Sequence, residues 1–235
     1  MGACIITGSG AGIGKAVAYS LSKTDFFDSY ILLGRNKEAV QETMKSMKDN
    51  CTRLNINYYE IDFSQPHRIP YVMEQVTKQF QNIACLLNIA GYTDPQPLLS
   101  TSLESFDYTY KVNVFSPFML IQECTRHMKK RGGKIVNVAS TAGMSARPGW
   151  LSYASSKAAV ISMSQTLTAE LAEYGIKVYC VSPGRCATKL RKQLAPDEDP
   201  TTIMQPEDVA EVICKLVSPE EQCLDGQNIV IRKQV

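Results

Sequence analysis

Tyr153-Ala154-Ser155-Ser156-Lys157 sets a phenol and an amine four residues apart. On a helix that spacing puts both on one face, about 5–6 Å apart at Cβ. A free phenol titrates near ~10 and a lysine near ~10.4. A tyrosine exchanging protons near neutrality therefore needs a depression of about three units, or about 4 kcal/mol of preference for the phenolate. A neighbouring ammonium supplies about 1–3 units, and a second positive charge adds to it. A helix with one semi-exposed tyrosine and a solvated lysine has the same spacing, so the pair alone does not decide.

A second feature is Thr7-Gly8-Ser9-Gly10-Ala11-Gly12-Ile13-Gly14, between the first apolar run and the first helical pattern. Glycines there allow a tight turn and let backbone N–H groups approach a pyrophosphate, and the helix N-terminus adds a favourable dipole. A plain strand–helix turn or a methyltransferase loop looks similar. The position at the start of a βαβ unit favours dinucleotide binding. An acid that binds the ribose of NAD is expected about 20 residues on. That place holds Gly34, then Arg35-Asn36, and the next acid is Glu38. Arg35 can take the 2′-phosphate of NADP through charge-assisted hydrogen bonds of about 1.5–3 kcal/mol, roughly a 10- to 100-fold preference. An ordinary exposed arginine opening a loop is the bland alternative. NADP is the expected cofactor, ahead of NAD.

These groups need a scaffold, and strand-like and helix-like periods alternate strictly along the chain. β-type runs lie at Ala3–Thr7, Tyr30–Leu33, Asn55–Ile61, Ile83–Asn88, Gly133–Ala139, Lys177–Val181 and Asn228–Ile231. Helical patterns lie at Ile13–Ser22, Glu38–Lys48, Arg68–Phe80, Leu103–Lys130, Tyr153–Tyr174 and Pro206–Val217. Thr101 with Glu104 reads as a capping box for the fourth helix, and Gly175 as the terminator of the fifth. Apolar strands alternating with helices predict an α/β fold: one Rossmann-type doubly wound domain over residues 1–235, with a seven-stranded, mostly parallel sheet covered by helices on both faces. The polar, proline-marked stretch at about 184–206 reads as a substrate loop or lid.

Composition narrows the function. Among 235 residues, 25 Lys+Arg stand against 23 Asp+Glu, too balanced for a chain that coats nucleic acid or an anionic membrane. The apolar runs are far shorter than the ~20 residues that span a bilayer. The start lacks the basic region of a signal peptide, and Ile6 occupies the Ser/Thr place of a myristoylation signal. The eight cysteines form no Cys-x-x-Cys pair and there are two histidines, so no metal site is expected. Reduced, mostly buried thiols in a cytoplasmic protein are expected. A hydrolase is disfavoured, because no Gly-x-Ser-x-Gly elbow occurs and His127 sits in a basic helix end, Arg126 to Arg131. That end could also meet an acyl carrier protein.

Taken together, the motifs resemble the short-chain dehydrogenase/reductase family over nearly the whole chain. Thr7–Gly14 has the family's TGxxxGxG form, and Asn88-Ile89-Ala90-Gly91 looks like its NNAG strand end with Ile89 replacing the second Asn. Lys111-Val112-Asn113-Val114 matches the segment of its catalytic Asn. Ile135 to Ser140 matches its Ser-bearing strand, with Ser140 thirteen residues before Tyr153. Pro183-Gly184 through Thr188 resembles the segment beside the nicotinamide. The resemblance implies catalysis by Asn113, Ser140, Tyr153 and Lys157. Tyr153 would give a proton to a carbonyl oxygen as hydride arrives, and Ser140 would orient that oxygen. Lys157 would bind the nicotinamide ribose and lower the Tyr153 pKa, helped by the oxidised ring's charge. Asn113 would hold a water leading to solvent. It implies cofactor contacts from Gly8, Ser9, Gly10, Gly12, Ile13, Gly14, Arg35, Asn36, Asp62, Phe63, Asn88, Ala90, Gly91, Tyr153, Lys157, Pro183, Gly184, Cys186 and Thr188, with Asp62 near adenine or merely a strand-end turn former.

Family substrates touch segments that here offer Tyr92, Thr93, Met144, Trp150, Leu151 and Leu190, an apolar and aromatic lining that suits a hydrophobic carbonyl compound. Gly149-Trp150-x-x-Tyr153 and the abrupt C-terminus resemble sepiapterin- and benzil-type reductases. Cys186 lies within the nicotinamide segment, and the sequence leaves its redox sensitivity open. Asp225 to Val235 lacks the family's frequent Gly-Gly turn and tail, while Ala154, Ala158, Ala159 and Ser162 permit close helix packing between subunits, so a homodimer or homotetramer is expected. The expected activity is NADPH-dependent reduction of a ketone, diketone or aldehyde. A 3-oxoacyl-thioester reductase and a non-catalytic NADP-binding sensor or scaffold are the alternatives.

Overall fold

The computed structural model describes residues 2–51, 54–224 and 226–233. The apolar runs become β1 (Ala3–Thr7), β2 (Ser29–Gly34), β3 (Asn55–Glu60), β4 (Ile83–Asn88), β5 (Gly133–Val138), β6 (Ile176–Pro183) and β7 (Asn228–Ile231). The helices are α1 (Gly12–Leu21), α2 (Lys37–Asn50), α3 (Ile69–Gln79), α4 (Leu103–Tyr110), α5 (Ser116–Met128), α6 (Leu151–Leu171), α7 (Lys189–Leu194) and α8 (Pro206–Val217). Side chains alternate across a strand, so each central strand feeds two cores. Ile5, Ile31, Leu86, Ile135 and Val178 pack under α3, α5 and α6. Ile6, Leu32, Leu87, Val136 and Tyr179 pack under α1, α2 and α8. Each such side chain contributes about 1.5–3 kcal/mol on burial. The strand order is β3-β2-β1-β4-β5-β6-β7, and every pairing is parallel. The order reverses between β1 and β4, where the carboxyl ends of a doubly wound sheet open a crevice.

Buried polar bonds fix the strand ends that border this crevice. The Thr7 hydroxyl donates to the Leu87 carbonyl at 3.2 Å and accepts the Ile89 and Ala90 N–H groups at 2.9 and 3.0 Å. Asn88 Nδ2 donates to Asn137 Oδ1 at 2.9 Å, and Asn137 Nδ2 to Ser164 Oγ at 3.0 Å. β4, β5 and α6 are thereby locked in register.

The structure departs from the sequence reading in three places. Leu103–Lys130 is not one regular helix, because a π-helical turn at Lys111–Phe115 separates α4 from α5. Pro117 has no N–H for the Asn113 carbonyl, so the regular ladder fails there. The Thr101–Glu104 capping box does not form. Ser102 is the cap, its Oγ accepting the Ser105 N–H at 3.1 Å, while the Thr101 hydroxyl donates to the Pro97 carbonyl at 3.0 Å. The stretch 184–206 is ordered: it holds α7, and its two ends are joined by the Ala187 N–H to the Met204 carbonyl at 2.8 Å and the Met204 N–H to the Arg185 carbonyl at 3.2 Å.

Gly175, with φ +67°, ends the 3-10 turn Ala172–Tyr174 that continues α6, so the helical run stops there as expected. All eight cysteines are unpaired, five of them buried. Of the C-terminal run, Asp225, Gln234 and Val235 lie outside the described residues. Among the described residues no helix is long and apolar enough to cross a membrane, and no group of three His, Cys, Asp or Glu side chains could hold a metal.

Candidate active site

The crevice is a cavity of about 640 Å³ at the carboxyl ends of the strands. One wall is the loop from β1 into α1. Gly8 has φ +69°, and a Cβ there would lie 2.9 Å from Ala90 Cα. A Cβ on Gly14 would lie 2.2 Å from the Gly8 carbonyl oxygen, so only glycine lets α1 start this close to the strand. No side chain caps the α1 N-terminus, and Gly8, Ala11, Gly12, Ile13 and Gly14 line the cavity. Uncapped N–H groups and a helix dipole facing a crevice fit a dinucleotide's pyrophosphate.

At the β2 end, Arg35 lines the cavity and its Nη1 donates to the Tyr108 hydroxyl at 3.3 Å. Asp62 faces it across β3. Burial pushes the Asp62 carboxyl up, but hydrogen bonds from Ser64 and the nearby Arg35 leave it below its ordinary range.

The opposite end holds the reactive groups. α6 carries Tyr153 and Lys157 on one buried face, with the ammonium 5.8 Å from the phenol ring centroid. Lys157 Nζ donates to the Val138 carbonyl at 2.8 Å. Burial lowers its pKa to about 8. The Tyr153 phenol is raised above its ordinary value by burial, and the Ser140 hydroxyl and the Arg191 guanidinium pull it only partly back. This departs from the expectation of a phenol acidified by Lys157: in the chain alone, desolvation outweighs the Ser140 hydrogen bond and the Arg191 charge. Ser140 also caps the turn after β5, accepting the Ala142 N–H at 3.1 Å.

Asn113 is placed by the π turn and is 1% exposed. Its Oδ1 accepts the Tyr92 N–H at 2.8 Å, and its Nδ2 donates to the Tyr92 carbonyl and Ser156 Oγ, both at 2.9 Å. It ties the end of β4 to α6.

The cavity brings together Gly8, Gly12, Ile13, Gly14, Arg35, Asp62, Phe63, Ala90, Gly91, Ser140, Tyr153, Lys157, Pro183, Gly184, Cys186 and Thr188, with Tyr92, Trp150 and Leu190. It does not bring in Ser9, Gly10, Asn36, Asn88 or Asn113. Gly10 faces Ala39 and Val40, and the Ser9 carbonyl accepts the Thr43 hydroxyl. Asn36 Oδ1 caps α2 at the Ala39 N–H, 2.9 Å away. Asn88 Nδ2 is committed to Asn137 Oδ1, while its buried Oδ1 has no partner among the described residues.

Met144 is a correction. It is half exposed on the outer side of α6, where Asn228 Nδ2 lies 3.2 Å from its sulfur. Leu151 and Thr93 also lie off the lining. Burial pushes the Cys186 thiol up to about 12, and thiols react as thiolates. Tyr108, Arg147 and Arg191 line the cavity without having been singled out. Thr188 caps α7 by accepting the Arg191 N–H at 3.1 Å, which sets where the helix starts and not where the Arg191 side chain lies.

Comparisons with known proteins agree with this geometry. A family model described as short chain dehydrogenase matches residues 3–199. The chain is 32% identical over 239 residues to 3-oxoacyl-[acyl-carrier-protein] reductase FabG of Thermotoga maritima, covering 97% of this chain and 95% of that protein. It is 31% identical over 237 residues to the NAD-dependent glycerol dehydrogenase of Listeria innocua, covering 97% and 91%. The solved structure of a short-chain type dehydrogenase/reductase from Mycobacterium marinum superposes with a TM-score of 0.89 at 27% identity, covering 98% of this chain and 94% of that one.

Proposed function

Since the chain belongs to the short-chain dehydrogenase family, an oxidoreductase family acting between CH–OH and C=O with NAD or NADP, we propose that it is an NADPH-dependent carbonyl reductase in which Tyr153 is the proton donor. The observation that carries this reading is buried Tyr153 and Lys157 with half-buried Ser140, all three lining one cleft. NADPH, when bound, supplies the hydride. The residues supply the rest. In reduction the Tyr153 phenol would give its proton to the carbonyl oxygen as the hydride arrives, a step eased by a cation beside the phenolate that forms. Ser140 donates to the same oxygen and orients it. Lys157, adjacent to the ring, offsets the negative charge left on Tyr153. Asn113 holds Gly91 and Tyr92 against this group. We assign NADPH because Arg35 stands where NAD-binding chains of this fold carry an acid.

Gly8, Gly12, Ile13, Gly14, Asp62, Phe63, Ala90, Gly91, Pro183, Gly184, Cys186 and Thr188 complete the cofactor cradle, and Tyr92, Trp150 and Leu190 the substrate wall, with residues 1–235 acting as one domain. Half-exposed Phe115, at the end of the π turn, and Phe118 on α5 support a homo-oligomer, and the unpaired thiols a reducing, cytoplasmic setting. The test is NADPH oxidation across diketones, quinones, aldehydes and acyl thioesters. Tyr153→Phe is expected to lower kcat at least a hundredfold while still binding NADPH. Turnover that survives this substitution would refute the assignment, and a wild type that binds NADPH but reduces nothing would point to a sensor. Faster turnover of carrier-protein or CoA thioesters than of free diketones would assign the 3-oxoacyl branch.

A further inference from the structure

Reduction of a plain carbonyl needs one proton donor, yet the mouth of this cleft is crowded with cations. Arg147, Arg185, Lys189 and Arg191 line it together with Lys157, and Asp62, at the Arg35 end, is the one carboxylate among the described lining residues. α7 spans the two halves of the site. Its cap Thr188 lies against the cofactor cradle, 3.1 Å from where a Gly12 Cβ would stand. Arg191, one turn on, has left the cradle: its guanidinium carbon is 5.7 Å from the Trp150 ring centroid, and its charge acts on Tyr153.

The guanidinium is also pre-oriented. Nε donates to Glu198 Oε2 at 2.6 Å and Nη2 to Glu198 Oε1 at 2.8 Å. This uses the side-on edge of the fork and leaves the Nη1/Nη2 edge without a partner among the described residues. Glu198 is shared with Arg185, whose Nη1 lies 3.3 Å from Oε1, so one carboxylate faces two guanidiniums. Arg147 has no carboxylate partner among the described residues. It sits on the turn whose carbonyl accepts the Trp150 N–H at 3.0 Å.

We propose that Arg191, with Arg147 on the same cavity lining, forms an anion subsite, and that the substrate is a carbonyl compound bearing a carboxylate or phosphate a few bonds from the carbonyl carbon. The proposal rests on the reductase reading and names its substrate class. A rigid fork with one free edge binds an oxyanion in two parallel hydrogen bonds, and Trp150 forms the floor on which the fork stacks. With the anion held there, the carbonyl is directed toward Tyr153 and Ser140.

The experiment uses matched pairs with NADPH: 4-oxopentanoate against its methyl ester, and dihydroxyacetone phosphate against dihydroxyacetone. In at least one pair kcat/KM is expected to favour the charged member roughly ten- to hundredfold, through KM, with the advantage shrinking at high salt. The pair that shows it tells carboxylate from phosphate. Arg191→Met is expected to collapse that ratio, and Arg191→Lys to restore part of it. Equal or better turnover of both neutral members, or a parallel loss on both members in Arg191→Met, would overturn the subsite. A second readout is independent of turnover. Trp150 is the sole tryptophan, and with NADP bound its emission should change saturably with 4-oxopentanoate or dihydroxyacetone phosphate, not with the neutral partners, and not in Arg191→Met. No saturable change with either anion overturns the subsite. Saturable binding without reduction of any carbonyl upholds the subsite and sinks the reductase reading instead.

Discussion

Arg35→Ala tests the cofactor assignment most directly. Arg35 follows the last residue of β2, is exposed, and has one long hydrogen bond, to the Tyr108 hydroxyl at 3.3 Å. The next acid, Glu38, lies in the exposed first turn of α2 and is off the cavity lining. A 2′-phosphate at this corner would meet a guanidinium and no competing carboxylate from that segment. Charge-assisted hydrogen bonds of about 1.5–3 kcal/mol at 1.36 kcal/mol per decade give roughly 10- to 100-fold. Solvent around an exposed side chain moves the expectation to the lower end, about tenfold. Arg35→Ala should therefore raise the KM for NADPH about tenfold and leave that for NADH nearly unchanged. Arg35→Asp should shift the preference further toward NADH, by repelling the phosphate and offering the ribose an acceptor. Initial rates of NADPH and NADH oxidation at saturating carbonyl, at low and high salt, read this out. A wild type faster with NADH, or a ratio unmoved by Arg35→Ala, would refute the reasoning.

Other outcomes are equally checkable. Lys157 has a folded pKa of about 8, set by burial, below its unfolded value of about 10.4. The unfolded chain thus binds more protons between these limits, and this group should add up to roughly 3 kcal/mol of stability as pH rises through that window. Chemical denaturation of wild type and Lys157→Met across pH should differ in slope there, and identical slopes would contradict its burial. kcat/KM for carbonyl reduction should fall above about pH 8, as the ammonium next to Tyr153 is lost. Asn137→Ala strands Asn88 Nδ2 in the core and should cost about 1–3 kcal/mol, seen as a lower urea midpoint with unchanged m-value. Iodoacetamide at neutral pH should label exposed Cys223 and spare Cys186, whose thiol burial holds up at about 12. Inactivation that tracks Cys186 labelling would count against this.

Much of the molecule was legible before folding. Every strand was placed within two residues at each end, because Ile5/Ile6, Leu86/Leu87 and Ile135/Val136 leave no polar face and so demand a sheet covered on both sides. Tyr153 and Lys157 were readable as a pair because helical geometry alone sets their spacing. The break at Lys111–Phe115 has its local sign in Pro117, which cannot donate to the Asn113 carbonyl. The roles of Asn36, Asn88 and Asn113 were not: one amide caps a helix, one bridges two strands, and one joins β4 to α6, and all three look alike in a motif. Arg191 was equally silent, since nothing local places it over Trp150, 41 residues earlier in the chain.

Periodicity, turns and helix spacing are properties of a few consecutive residues, so the sequence by itself determined the doubly wound fold and the presence of a phenol–amine pair beside a phosphate-type loop. The burial of Tyr153 and Cys186 and the free edge of Arg191 belong to the tertiary structure alone. Desolvation and Coulomb interaction depend on distances between groups far apart in the chain, and packing is what sets those distances.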